Sequence, residues 1–207
     1  MRRLNIIPIV HSRHDLGSLE NQVGELKAKL SSERSVVSSR NAVEMFWNEI
    51  NRRMQTSGFD FPNMLIYQDG LPNTGHSDRV IEHRIIADLA ANGSPNHKLI
   101  QWMIAQGAML VGTESIDLLL KEYDFVRQSL AQGLGDFDAE PAVKDESTNV
   151  RVQRDQYIAK RILETLGEGQ TGIIFLGLLH SLQDFLPSDL VVDYPFGRPK
   201  VSITILQ

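Results

Sequence analysis

The chain has 207 residues, 42% of them hydrophobic, and carries a formal net charge of −5. This length and composition predict one globular domain with its own core, and the acidic balance excludes nucleic acid as a main partner, because phosphate binding needs a positive field. The lack of cysteine excludes disulfides and cysteine metal sites, and no stretch reads as a membrane span or a secretory signal, so we expect a cytoplasmic protein without membrane contact.

Apolar runs and helical spacings alternate along the chain. In order, they predict a strand at 4–10, helices around 16–30 and 43–54, a strand at 64–67, helices at 80–89 and 95–104, a strand at 108–112, a helix at 116–130, a long helix from Pro141, a strand at 172–176 and closing strands at 190–192 and 201–206. Residues 133–140 are acidic and contain glycine, which is typical of a flexible loop or lid. We therefore predict a single α/β domain over 1–207, with a central, at least partly parallel sheet flanked by helices.

A titratable residue follows each of the first four predicted strands. His11 follows the first, Asp69 the second and Glu114 the third, and His180 lies just past the fourth. If these strands are parallel, all four side chains gather at the carboxyl edge of the sheet, where open α/β folds bind ligands. Structural alternatives stay open, since Asp69 before glycine is typical of a turn and Glu114 has the position of a first-turn acid favoured by the helix dipole.

The helix before the fourth strand begins with charges on its inward face. Its apolar residues recur at four-residue spacing up to Leu166, and the same face continues backwards to Asp155, Arg154 and Arg151. About 13 helical residues have the height of a strand of about six, so Arg154 and Asp155 should lie level with His180. Buried charges need partners, so these residues either line a cleft or form a structural ion pair.

These residue types suit hydrolysis. A carboxylate beside an imidazole raises its basicity, as a general base requires, and an arginine can bind an anionic substrate or an oxyanion. Two histidines and two carboxylates could equally hold a divalent metal with an open position, so the cofactor stays open. We assign catalysis to His11, Glu114, Arg154 and His180, substrate binding to Asp69, Arg151, Asp155 and His14, and a metal, if one is bound, to His11, Glu114 and His180.

Familiar motifs of other enzymes are absent from the sequence. It contains no G-x-G-x-x-G after a strand, no G-x-x-x-x-G-K-[ST] and no G-x-S-x-G. Nucleotide binding of the common kinds and serine hydrolase chemistry are therefore disfavoured.

The late helix and strand, RDQYIAKRILETL followed by GIIFLGLLH, resemble the TraB/Tiki and erythromycin-esterase/ChaN-like superfamily. GLLH at 177–180 matches the late GxxH motif of that superfamily, and Arg154–Asp155 is similar to its arginine-headed helix. The early strand ends in PIVH at 8–11, with proline where the motif has glycine. The resemblance covers the last third of the chain and implies hydrolysis, by a metal-dependent protease or by a histidine-based esterase, with Glu114 first and Asp69 second as the acid.

The sequence thus predicts a hydrolase-like protein acting on an ester or peptide bond, with or without a metal. A second hypothesis is a non-catalytic sensor module that binds an anionic small molecule or a metal at the same edge. A third is that the polar edge is structural and the periodic helices mediate self-association as a homo-oligomer.

Overall fold

The computed structural model describes residues 1–9, 33–76, 79–131 and 141–197. Within these ranges the chain forms five strands and five α-helices. The strands are β1 (Arg3–Ile9), β2 (Met64–Gln68), β3 (Met109–Val111), β4 (Thr171–Gly177) and β5 (Val191–Asp193), and the helices are α1 (Glu33–Thr56), α2 (Val80–Ala91), α3 (Pro95–Ala105), α4 (Ile116–Ala131) and α5 (Pro141–Thr165). The predicted strands and helices in these ranges are confirmed, and most of their ends differ by a few residues. The exception is α1, which begins at Glu33 and not near Val43.

The five strands form one sheet in the order β3-β2-β4-β1-β5, and every described pair of neighbours is parallel. The central pair is the longest, with Arg3 opposite Thr171 and Ile9 opposite Gly177. Pro8 lies in β1 although β1 is not an edge strand. Because β5 pairs only with the first three residues of β1, none of the described strands lies on the β5 side of β1 at Pro8, and the missing N–H is tolerated there.

Two apolar cores cover the two faces of the sheet. The first contains residues of α1, α2 and α3, such as Trp47, Ile86 and Ile100, packed on β1, β2, β3 and β4. The second contains the inward stripe of α5, including Ile158 and Ile162, packed on the opposite face of the same strands. The predicted α/β fold, a parallel sheet flanked by helices, is confirmed.

The strand order places a topological switch between β2 and β4. From β2 the chain passes to α2 and α3 on the first face, whereas from β4 it passes to Leu182 and Leu186, which pack with the second core. The two segments that leave β2 and β4 therefore diverge to opposite faces of the sheet at the carboxyl ends of these neighbouring strands. In open α/β sheets this arrangement leaves a crevice where ligands bind.

Several predicted features lie outside the described residues. They are the helix at 16–30, the loop or lid at 133–140, the closing strand at 201–206, and His11 and His14. In the part of the chain that is described, no helix is long and apolar enough to cross a membrane.

Candidate functional site

A buried cluster of charged side chains occupies the carboxyl edge of the sheet at the switch between β2 and β4. We call it the polar cluster. Its members are Asp69, Glu114, Glu122, Arg154, Asp155 and His180.

Asp69 lies at the centre of the polar cluster. It follows β2 directly, and its backbone N–H donates to the carbonyl of Phe175 in β4 at 2.9 Å. Its Oδ2 accepts a hydrogen bond from the Gly177 N–H at 2.9 Å, and its Oδ1 accepts from Arg154 Nη2 at 2.7 Å. Gly70 takes a positive φ of 80°, so the Asp-Gly pair does form a turn. The turn interpretation of Asp69 is therefore confirmed, and its assignment to substrate binding stays a prediction.

Glu114 is fixed by its backbone and by its carboxylate. Its N–H donates to the Leu71 carbonyl at 3.0 Å, and its own carbonyl accepts from Asn73 N–H at 2.7 Å. Its Oε1 accepts from Gly70 N–H at 2.9 Å. Both carboxylate oxygens face Arg154, with Nε donating to Oε2 at 2.8 Å and Nη2 donating to Oε1. Glu114 is fully buried, so the bidentate fork supplies the counter-charge that burial requires.

Arg154 of α5 joins the acids of three different segments. Besides the Glu114 fork, Nη2 donates to Asp69 and Nη1 donates to the carboxylate of Glu122 in α4. Burial alone would lower the pKa of Arg154, but the hydrogen bonds and charge of Glu114, with the charges of Asp69 and Glu122, raise the pKa further above its ordinary value. Arg154 is therefore a permanent cation held by three carboxylates.

His180 is held by Asp155, the residue that follows Arg154 in α5. The Nδ1 atom of His180 lies 2.5 Å from Asp155 Oδ1, and the Ser181 N–H donates to Asp155 Oδ2 at 3.0 Å. On the other side of the ring, Nε2 lies 3.5 Å from Asp69 Oδ2. Burial lowers the pKa of His180, but the hydrogen bond to Asp155 and the charge of Asp69 outweigh it, so the pKa is raised. The imidazole of His180 is therefore protonated more readily than that of a free histidine.

Glu114 titrates near neutrality. Burial is the largest cause, since it disfavours the ionised form, and the charge of Asp69 acts in the same direction; together they raise its pKa to about 7 against the opposing effect of Arg154. The polar cluster as a whole contains four carboxylates and two side chains that can carry positive charge. Its excess of carboxylates favours cations and disfavours added negative charge.

The structure brings together five of the eight residues assigned to the site from the sequence, namely Asp69, Glu114, Arg154, Asp155 and His180. The prediction that Arg154 and Asp155 lie level with His180 is confirmed by the Asp155–His180 contact. Arg151, one turn earlier in α5, is half-buried and makes no ion pair with any residue in the described ranges. His11 and His14 lie outside those ranges, and their assignment stays a prediction.

The proposed metal ligands do not form a site in the part of the chain that is described. No group of three histidine, aspartate or glutamate side chains among those residues is arranged to hold a metal ion. Glu114 directs both oxygens at a guanidinium, which would repel a cation bound to the same oxygens. The set of His11, Glu114 and His180 stays a prediction, because His11 is not described.

One member of the polar cluster, Glu122, was missed by the sequence analysis. Glu122 accepts a hydrogen bond from Arg154, and its signal was available, because it stands three residues after Leu119 and four before Val126, in line with the apolar stripe of α4. Asp155, assigned to substrate binding from the sequence, lies beside the imidazole of His180.

Comparison of the chain with models of protein families, with curated proteins and with solved structures finds no match.

Proposed function

We propose that this protein is a hydrolase of ester or amide bonds in which His180 transfers the proton. One observation carries the proposal: Asp155 holds Nδ1 of His180 at 2.5 Å, while Nε2 lies 3.5 Å from Asp69 Oδ2 at the carboxyl edge of the sheet. That second distance is long for a hydrogen bond, so Nε2 is the ring nitrogen that can exchange a proton with water or a leaving group. A carboxylate that orients the other nitrogen of such a ring is the usual arrangement of a general base.

The reaction follows from these positions. Neutral His180 takes a proton from water at Nε2, and the water oxygen forms a bond to the carbonyl carbon of the substrate. The resulting oxyanion collapses, the bond to the leaving oxygen or nitrogen breaks, and the imidazolium returns the proton to that atom. Because the pKa of His180 is raised, we expect the rate to increase with pH as the neutral ring becomes populated.

Asp155 and Arg154 have separate parts in this proposal. Asp155 orients the imidazole, the task first given to Glu114, while Glu114 holds the guanidinium of Arg154 in place. Arg154 Nη1 bonds Glu122, the only member of the polar cluster whose side chain is substantially exposed, at 36%. This contact is the one that an oxyanion could replace at the lowest cost. No step is assigned to a metal.

The resemblance to the TraB/Tiki and erythromycin-esterase/ChaN-like superfamily supports the same reaction class. Its late GxxH motif corresponds to 177–180, and its arginine-headed helix corresponds to Arg154–Asp155, which are the segments that meet in the polar cluster.

The test is a screen of p-nitrophenyl esters and fluorogenic peptides with EDTA and with added Zn²⁺, Mn²⁺ or Mg²⁺. We expect turnover by the wild type, a loss of at least about 100-fold in His180→Ala, and a smaller loss in Asp155→Asn. His83→Ala is the matched control, because His83 is an exposed histidine on α2. Turnover that survives in His180→Ala, or that falls equally in His83→Ala, contradicts the assignment. Loss of turnover in EDTA, with recovery on addition of one of the metal ions, would show that a metal takes part.

A second candidate is a non-catalytic sensor at the same edge. The observation that favours it is that five charged side chains of the polar cluster pair with one another and are almost wholly buried. They are Asp69, Glu114, Arg154, Asp155 and His180. The excess of carboxylates favours a metal or another cation over the anionic molecule considered from the sequence. Metal binding measured by calorimetry in the absence of turnover supports this candidate.

A further inference from the structure

Two leucines stand exposed in the turn that carries His180. The turn spans Gly177 to His180 and is closed by a hydrogen bond from His180 N–H to the Gly177 carbonyl at 3.1 Å. Its two corners are Leu178 and Leu179, which are 41% and 71% exposed. Turn corners are usually glycine, proline, asparagine, aspartate or serine. An apolar pair at both corners is therefore not explained by the needs of the turn.

The polar cluster fixes this turn at both ends. Gly177 N–H donates to Asp69 Oδ2 at 2.9 Å, and Ser181 N–H donates to Asp155 Oδ2 at 3.0 Å. The same two aspartates contact the two nitrogens of His180. The leucines are thus held on a rigid segment whose position is set by the same contacts as the imidazole.

We infer that Leu178 and Leu179 bind an apolar group of the substrate next to the bond that is cleaved, and so determine specificity. This inference rests on the proposed function. The substrate class is a neutral ester or amide with an apolar acyl chain of several carbons, because the leucines offer only apolar contact and the carboxylates beside them disfavour an anionic substrate. Each leucine that covers the chain contributes about tenfold to the preference for a long chain over a short one.

The experiment compares p-nitrophenyl octanoate with p-nitrophenyl acetate. The ratio of their kcat/KM values is measured for the wild type, Leu178→Ser, Leu179→Ser and the double variant. Leu120→Ser is the control, because Leu120 is a similarly exposed leucine, at 58%, that lies on α4 and outside the turn. We expect the ratio to fall about tenfold in Leu179→Ser and further in the double variant, with the acetate rate nearly unchanged. Thermal unfolding verifies that each variant is folded.

The outcomes separate this inference from the proposed function. An unchanged ratio in the double variant, or an equal fall in Leu120→Ser, overturns the role of the leucines while leaving the hydrolase intact. If the wild type hydrolyses neither ester, the hydrolase proposal fails, and binding of the neutral amide N-methyloctanamide, measured by NMR titration, decides about the leucines. Binding that is at least about tenfold weaker in the double variant supports the apolar site. Equal binding, or none to the wild type, overturns it.

Discussion

Arg154→Met tests whether the guanidinium is the counter-charge on which the polar cluster depends. Methionine keeps an unbranched apolar side chain like the stem of arginine, but it lacks the guanidinium group and with it every N–H donor. Asp69 and Glu114, buried at 8% and 0% exposure, then lose the cation that both share. Glu122 is more exposed and becomes hydrated instead.

Removing one partner of a buried ion pair costs about 3–5 kcal/mol, because the remaining charge stays buried without compensation. This is a large part of the total of about 5–15 kcal/mol that stabilises a typical domain. With a urea slope near 2 kcal/mol/M, the unfolding midpoint should fall by about 2 M. Without Arg154, which opposes the rise, the pKa of Glu114 increases further, and an acid whose folded pKa exceeds its unfolded value contributes stability at low pH that is lost as pH rises. The difference in free energy of unfolding between the wild type and Arg154→Met should therefore be smaller at pH 5 than at pH 8.

The assay is urea unfolding followed by far-UV circular dichroism at both pH values. The matched control is Arg161→Met, in the same helix, whose guanidinium pairs with the exposed Glu164 and should cost less than about 1 kcal/mol. Arg154→Met combined with Glu114→Gln should be more stable than Arg154→Met alone, because one stranded charge is gone. Equal losses in the two arginine variants, or a deficit that does not change with pH, refute the reasoning.

Two other predictions concern stability. Glu114→Gln should flatten the pH dependence of the free energy of unfolding between pH 4.5 and 7. In the wild type, a folded pKa raised from 4.5 to about 7 lowers that free energy by on the order of 3 kcal/mol over this window as pH rises. Urea unfolding at pH 5, 6, 7 and 8 measures the effect, and a wild-type slope in the variant contradicts it. Gly112→Ala should destabilise by about 1–3 kcal/mol, because its Cβ would lie 2.7 Å from the Asn73 Cα and the Pro72 carbonyl, whereas Gly167→Ala meets only the flexible Gln170 side chain at 3.0 Å; thermal unfolding that shows equal costs contradicts the steric argument.

The parts of the fold that depend on local pattern were predictable. Apolar periodicity located the helices and strands, and the rise per residue of helix and strand placed Arg154 and Asp155 level with His180. The type and height of each helix and strand depend on residues that are neighbours in sequence and on a fixed rise per residue, so they can be inferred from the sequence directly. The serine and proline at 94–95 likewise marked the start of α3, where Ser94 accepts a hydrogen bond from His97 N–H.

The pairing of side chains within the site was not predictable, because it follows from the order of strands. β3 lies at the edge of the described sheet, with β2 between it and β4. Glu114, which follows β3, therefore reaches Arg154, and Asp69 after β2 lies between them and His180. The imidazole is left to Asp155, which approaches from α5. Strand order is decided by contacts distant in sequence, and periodicity contains no information about it.

Stability alone does not account for the polar cluster. A buried network of this kind is often no more stable than well-packed apolar residues of the same volume, because desolvation of the charges offsets their attraction. A joint exchange of Arg154, Asp69 and Glu114 for apolar side chains would leave none of these three charges stranded, and its main cost would be the lost acceptors of the Gly70 and Gly177 N–H groups. What apolar residues could not supply is an imidazole held at Nδ1 by one carboxylate, with a second carboxylate 3.5 Å from Nε2. The burial of these charges therefore supports the proposal that His180 transfers a proton, because stability of the fold alone does not require them.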